Sequence, residues 1–104
     1  MKPLTRDFYL RPTEDVAREL LGAVIVRQER GRRVSIRVVE VEAYLGIDDP
    51  AAHTYGGRRT ARNEPMWGRG GHAYVYFTYG MHHCLNAVTR DAGTPEAVLI
   101  RGGE

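Results

Sequence analysis

The fold is decided by residues 23–44, which read AVIVRQERGRRVSIRVVEVEAY. Two runs rich in valine and isoleucine, 23–27 and 34–43, lie on either side of a polar segment, 29–32, that contains Gly31. β-Branched runs joined by a glycine-containing turn are typical of an antiparallel β-hairpin. Because the second run is apolar at consecutive positions, we expect covering layers on both sides of the sheet.

Shorter patterns predict the elements around this hairpin. Residues 11–22 indicate a helix, with Thr13 as its N-cap, an apolar stripe on one face and Gly22 at its end. The other predicted strands are 73–79, 84–89 and 97–100. We therefore expect one α+β domain with a mixed, largely antiparallel sheet and flanking helical structure. Because the chain stops directly after an apolar strand, we expect this domain to be truncated at its C-terminus.

The segment between the hairpin and the third strand has no sustained pattern. Residues 45–72 are rich in glycine, arginine, aspartate and proline, and only a short helical turn is predicted, at 50–53. A stretch of this length without regular structure is more often a binding loop than a connection.

Length and composition bound the class of protein. A chain of 104 residues with 42% hydrophobic residues is long enough for one small globular domain. No apolar run could cross a bilayer, and the N-terminus lacks the apolar core of a secretory signal. The only cysteine, Cys84, excludes an internal disulfide, and we expect a reducing cytoplasm.

Basic and aromatic residues are concentrated between positions 51 and 90. This stretch holds five arginines, all four histidines, six of the nine aromatic residues and a single acid, Glu64. Such interleaving suits a phosphate backbone and stacked bases, but it also suits a solvated arginine-rich loop beside a core strand. Composition alone does not separate the two interpretations.

Two strands carry polar groups that could form the wall of a site. Glu40, Glu42 and Tyr44 alternate and therefore share one face, and so do Tyr74 and Tyr76. Each pattern also fits an ordinary strand, either an edge with two exposed acids or a tyrosine-rich packing surface.

Other chemistries are poorly supported. The histidines show no metal-ligand spacing, and His82 and His83, being adjacent, would point to opposite faces of a strand. Cys84 lies in an apolar strand, where a cysteine is usually unreactive. Lys2 is the only lysine and is poorly placed for the burial that a Schiff-base mechanism requires. If the protein cleaves a glycosidic bond, we therefore expect the nucleophile to be water and not an internal amine.

The combination of segments closely resembles the alkyladenine (3-methyladenine) DNA glycosylase family. The likeness runs from Phe8 to Arg101 but covers only about the first half of the family's domain. It is carried by FYLRPTEDVARELLGAVIV at 8–26, VEVEAYLG at 39–46, DPAAHTYGG at 49–57, RTARNEPMW at 59–67 and YVYFTYGMHHCLN at 74–86.

This resemblance implies a curved antiparallel sheet flanked by helices, with residues 1–104 forming the N-terminal part of the glycosylase domain. It implies a monofunctional DNA repair enzyme that flips alkylated or deaminated purines out of duplex DNA, hydrolyses the N-glycosidic bond and leaves an abasic site. The lesions would be of the 3-methyladenine, hypoxanthine and ethenoadenine class. The resemblance further implies no metal, no cofactor and no membrane contact. We expect a monomer on double-stranded DNA, at a bacterial-type, nucleoid-associated location in the cytoplasm.

The resemblance also assigns roles in catalysis and DNA contact. Glu42, in the EAY motif, matches the general base that activates water, and Arg101 matches an arginine near that water. Tyr79 matches the residue that wedges into the minor groove where the base has left. Arg58 and Arg62 are candidate phosphate contacts.

Four further residues match the family's base-binding pocket. Tyr44, His53 and Tyr76 match the side chains that sandwich the flipped base, where aromatic faces favour a cationic alkylated purine. Asn86 matches an asparagine that excludes guanine by clashing with its exocyclic amine.

Three alternatives remain open from the sequence. The chain could be an inactive, truncated fragment that binds DNA without releasing a base. It could also be a metal-dependent hydrolase that uses its histidines, or a stable β-domain without catalytic activity.

Overall fold

The computed structural model of the protein describes residues 3–77 and 83–103. Five strands form one curled antiparallel sheet in the order β1–β2–β5–β4–β3, which confirms the predicted α+β fold with a largely antiparallel sheet. The strands are β1 Val24–Glu29, β2 Arg32–Tyr44, β3 Ala73–Phe77, β4 His83–Thr89 and β5 Glu96–Gly103. No helix among the described residues is long and apolar enough to cross a membrane.

The predicted β1–β2 hairpin is present, and both of its strands extend further than the pattern indicates. Glu29 pairs with Arg32, so the turn between them consists of Arg30 and Gly31. Both turn residues have positive φ, 50° and 78°. This is the backbone of a type I′ turn, whose twist matches that of the flanking strands.

The predicted N-terminal helix is shorter than expected and begins differently. A single turn, α1 Arg6–Tyr9, precedes α2 Thr13–Leu20, and the N-cap position of α2 is Pro12. The prediction of Thr13 as N-cap is therefore wrong. Its hydroxyl is buried and lies 2.7 Å from both the Thr89 hydroxyl and a Glu96 carboxylate oxygen, so tertiary partners take the place of the helix backbone.

The two faces of the sheet are covered by different structures, as the apolar second strand predicts. On one face, α2 packs Val16, Ala17 and Leu20 against Val98 of β5. On the other face, Met66 of the loop packs against Tyr74, Val88 and Ala97. The outer part of the hairpin extends beyond both layers, since Val34 there is 62% exposed.

The loop between β2 and β3 contains three short 3-10 turns, Gly46–Asp48, Tyr55–Gly57 and Glu64–Trp67. At the predicted helical turn, 50–53, the chain forms a hydrogen-bonded turn and not a regular helix: the Ala52 N–H donates to the Asp49 carbonyl at 3.0 Å. The Asp49 carboxylate accepts hydrogen bonds from the backbone N–H groups of Leu45 and Ala51, both at 3.0 Å.

Candidate active site

One row of paired residues crosses four strands and defines the face of the candidate site. Glu42 of β2 pairs with Leu99 of β5, Leu99 pairs with Asn86 of β4, and Asn86 pairs with Tyr74 of β3. Side chains at directly paired positions project from the same face of a sheet. With strands about 4.8 Å apart, Glu42 and Tyr74 lie about 14 Å apart at the two ends of the row. A carboxylate and an aromatic ring therefore stand on one surface.

A pocket lies on this face between the sheet and the loop. Its cavity volume is about 20 Å³, roughly the room that one water molecule needs. It is lined by Tyr44, Ala51, His53, Met66, Tyr74 and Asn86.

His53 and Tyr74 meet at this pocket. The His53 Nδ1 and Tyr74 Oη atoms are 2.9 Å apart, and the rings meet edge to face. Loss of hydration where the ring is covered, and secondarily the positive charge of Arg62, lower the pKa of His53. Burial raises the pKa of Tyr74. Both shifts favour neutral side chains at neutral pH.

Asn86 and Asn63 fix the two sides of the pocket. Asn86 is buried in β4, and its Nδ2 donates a 3.0 Å hydrogen bond to the backbone carbonyl of Tyr74. Asn63 is buried in the loop, and its Nδ2 donates to the carbonyls of His53 and Arg58 at 3.2 and 3.1 Å. The backbone that carries His53 is thereby held against the loop's interior.

The structure brings Glu42 and Arg101 together. Arg101 Nη1 donates a 2.8 Å hydrogen bond to Glu42 Oε2, and its Nε lies 3.2 Å from Glu40 Oε1. The bond and the charge of Glu42, with the charge of Glu40, raise the pKa of Arg101. Burial, followed by the charge of Glu42, raises the pKa of neighbouring Tyr44. Glu40 and Glu42 therefore lie beside the charged guanidinium of Arg101, and Glu42 also lies near the uncharged phenol of Tyr44.

Arg58 and Arg62 lie beside the pocket. Both are exposed and line an open groove, together with His53, Thr60, Asn63 and Tyr74. Arg59, between them, is used differently: it binds Glu64 and stacks over the Trp67 ring at 5.0 Å. The two predicted phosphate contacts thus share a surface that opens onto the pocket.

The side chains of two predicted site residues, Tyr76 and Tyr79, lie outside what the structure describes. The backbone of Tyr76 lies on β3, paired with Cys84. Tyr79 lies outside the described residues. His82 lies outside them as well, and within the described ranges no three histidine, cysteine or acidic side chains are close enough to hold a metal ion.

Sequence reasoning missed several residues that shape the pocket. Strand periodicity places Tyr74 on the face of Tyr76, but no role in the pocket was predicted for it. Ala51, Asn63 and Met66 lie in the irregular loop, where no local pattern indicates which side chains face inward.

The sequence is similar to known proteins over nearly the whole chain. The sequence model of the family described as Methylpurine-DNA glycosylase (MPG) matches residues 7–104. Proteins named "Putative 3-methyladenine DNA glycosylase" from Desulfitobacterium hafniense and Methanocella arvoryzae are each 58% identical over the whole chain, which covers 51% and 52% of their lengths. One from Clostridium acetobutylicum is 56% identical over 97% of the chain and 49% of its own length.

The chain thus spans about half the length of the curated relatives it matches. The family model matches nearly all of this chain, from residue 7 to residue 104. The chain belongs to the methylpurine-DNA glycosylase family.

Proposed function

We propose that this protein is a DNA repair glycosylase that flips alkylated or deaminated purines out of duplex DNA and hydrolyses their N-glycosidic bond with a Glu42-activated water. Its substrates would be lesions of the 3-methyladenine, hypoxanthine and ethenoadenine class, and its product an abasic site. Residues 1–104 would form the N-terminal part of the glycosylase domain. The observation that carries the proposal is the row in which Glu42, Asn86 and Tyr74 share one face of the sheet.

The chemistry of the reaction suits the Glu42 end of this row. Cleavage of the bond between C1′ and the purine nitrogen develops positive charge on the sugar, which a nearby carboxylate stabilises. The same carboxylate accepts a proton from water as the water attacks C1′, and the purine leaves with the bonding electrons. Arg101, held 2.8 Å from Glu42, would orient the carboxylate and the attacking water.

The other end of the row suits a flipped base. Tyr44, His53 and, in this proposal, Tyr76 offer aromatic faces to a cationic alkylated purine. The lowered pKa of His53 keeps its ring uncharged at neutral pH, so it does not repel such a base. Asn86, fixed by its bond to the Tyr74 carbonyl, would clash with the exocyclic amine of guanine.

DNA would be bound as double strands, by a monomer, without a cofactor or a metal. Arg58 and Arg62, exposed on the groove beside the pocket, would contact phosphates and contribute no sequence preference. Tyr79 would fill the space that the flipped base leaves. Because the pocket holds only about one water, base entry would separate the loop wall that carries His53 from β3.

A second candidate function is an inactive fragment that binds DNA without releasing a base. It is favoured by one observation, that the chain spans about half the length of its relatives. Such a fragment would keep the groove of Arg58 and Arg62 and bind duplex DNA with a strong dependence on salt.

Base release from duplex DNA carrying one hypoxanthine or ethenoadenine separates the two candidates. Strand breakage after alkali would be measured for the wild type, Glu42→Gln and Glu14→Gln, the last being an exposed glutamate on α2 remote from the site. The glycosylase proposal requires release that Glu42→Gln reduces by about 100-fold or more and Glu14→Gln leaves unchanged. Salt-dependent binding without release would establish the fragment, and equal release by all three would exclude Glu42 as the base.

A further inference from the structure

Arg101 lies between two carboxylates and contacts each through a different nitrogen. Its Nη1 donates to Glu42 Oε2 at 2.8 Å, and its Nε lies 3.2 Å from Glu40 Oε1. Among the described residues, this single bond is the only hydrogen bond that Glu42 receives from Arg101, and no hydrogen bond reaches Glu42 Oε1. Within 3–77 and 83–103, Glu42 therefore accepts a hydrogen bond through Oε2 but not through Oε1.

Arg101 lies at an irregularity in the pairing of β2 and β5. Glu40 pairs with Gly102 and Val41 pairs with Ile100, so Arg101 is the extra residue of a β-bulge on β5. Bulges redirect the side chain at the position where they occur. Glu40 and Glu42 alternate along β2, so both reach the same side of the sheet and the guanidinium sits between them.

A second arginine of the same chain shows how a guanidinium behaves with one carboxylate. Arg59 binds Glu64 through Nε to Oε2 at 2.9 Å and through Nη2 to Oε1 at 2.6 Å, so it closes on both oxygens. Both pairs are solvent-exposed to similar degrees. Closure on both oxygens is frequent in arginine–carboxylate pairs but not general, since Arg18 contacts Asp15 through Nη1 alone. Arg101 differs from both of these arginines in that a second acid, Glu40, lies at its Nε.

We propose that Glu40 is a positioning residue that keeps Arg101 from closing on both oxygens of Glu42. By engaging Nε, Glu40 limits Arg101 to one contact with Glu42 and leaves Oε1 free to accept a proton from water. It also leaves the group of two acids and one arginine with a net charge of minus one, which favours positive charge developing nearby. The consequence for base release rests on the proposed function, whereas the geometry of Arg101 does not.

The direct test is to solve the structures of the wild type and of Glu40→Gln, with Glu14→Gln as a matched control. In Glu40→Gln we expect Arg101 to bind both oxygens of Glu42, as Arg59 binds Glu64. The control should keep the single contact. A variant in which Arg101 still reaches only Oε2, or leaves Glu42 altogether, would overturn the proposal, because Glu40 would then not be what keeps the second oxygen open.

A double-mutant cycle gives a kinetic readout that general destabilisation would not reproduce. Glu40→Gln should slow base release by about tenfold, and Glu40→Asp should restore part of the rate. In an Arg101→Met background the same change should have an effect of less than about twofold, because no guanidinium remains to close on Glu42. Equal slowing in both backgrounds would contradict the proposal. If the wild type releases no base, only the proposed function fails, and the Arg101 distances still decide the role of Glu40.

Discussion

The hydroxyl of Tyr74 lies 2.9 Å from Nδ1 of His53, and the two rings meet edge to face with their centroids 6.0 Å apart. Tyr74 is buried on β3, whereas His53 is exposed in the loop, 21 positions earlier in the chain. The contact ties the loop to the sheet at the wall of the pocket.

Tyr74→Phe should weaken this tie while keeping the ring in the core. Loss of one partly buried hydrogen bond should lower the free energy of unfolding by about 1 kcal/mol. Urea denaturation followed by the fluorescence of Trp67, the only tryptophan, would measure the change. Tyr55→Phe is the matched control, since Tyr55 is 53% exposed and should lose almost nothing. Equal losses in the two variants would show that the hydroxyl contact with His53 contributes no stability.

Local periodicity predicts the strands well because alternation is a property of a few consecutive residues. It places Glu40, Glu42 and Tyr44 on one face, as the β2 register requires. It cannot show that Asn86 and Tyr74 continue this row, because that depends on how four strands align.

The errors have the same origin. Threonine is a residue type favoured at N-caps, but the hydroxyl of Thr13 has its partner in Thr89, 76 positions away. Residues 50–53 form a turn that does not continue as a helix, and Asp49 hydrogen-bonds the backbone on both sides of itself. Met66 enters the core from a loop without periodicity. The resemblance to a family supplies site residues where pattern cannot, and the structure brings Glu42 to Arg101 and His53 to the pocket.

The lowered pKa of His53 predicts a pH dependence of stability. A group whose folded-state pKa lies below its ordinary value of 6.5 binds fewer protons in the folded state than in the unfolded state. Its contribution is therefore fully present above pH 6.5 and is lost as the pH falls through 6.5 toward the folded-state pKa. We expect the free energy of unfolding to fall more steeply between about pH 7 and pH 5 in the wild type than in His53→Gln.

Comparing the two proteins at each pH isolates His53 from the three other histidines. Urea midpoints at several pH values would provide the comparison. Arg62→Gln offers a check on cause, because removing that positive charge should raise the pKa of His53 in an NMR titration. Parallel stability curves for the wild type and His53→Gln would refute the prediction.

Gly70 should tolerate no side chain, because three backbone atoms surround it. A Cβ there would lie 2.9 Å from the Arg90 carbonyl oxygen and 3.0 Å from both Thr89 C and the Tyr9 carbonyl oxygen. Backbone cannot move aside as a flexible side chain can, so Gly70→Ala should cost about 1–3 kcal/mol of stability. At Gly68 the nearest atom is the Pro65 carbonyl oxygen at 3.3 Å, and Gly68→Ala should cost clearly less. Similar thermal midpoints for the two variants would contradict this steric account.

Thr13→Val tests whether the buried hydroxyl acts through the tertiary structure or as a helix cap. Valine keeps the shape of threonine but removes the group that Thr89 and Glu96 share, each at 2.7 Å. Thr13→Val would leave Thr89 and Glu96 without this hydroxyl and should lower the free energy of unfolding by about 1–3 kcal/mol. Thr13→Ser keeps a hydroxyl and should lower it less. A cap acting only on α2 would show no coupling to Glu96. The tertiary role instead predicts that Thr13→Val and Glu96→Gln together cost less than the sum of their separate effects, by at least about 0.5 kcal/mol in urea unfolding. Strict additivity would mean that the hydroxyl stabilises the protein without Glu96.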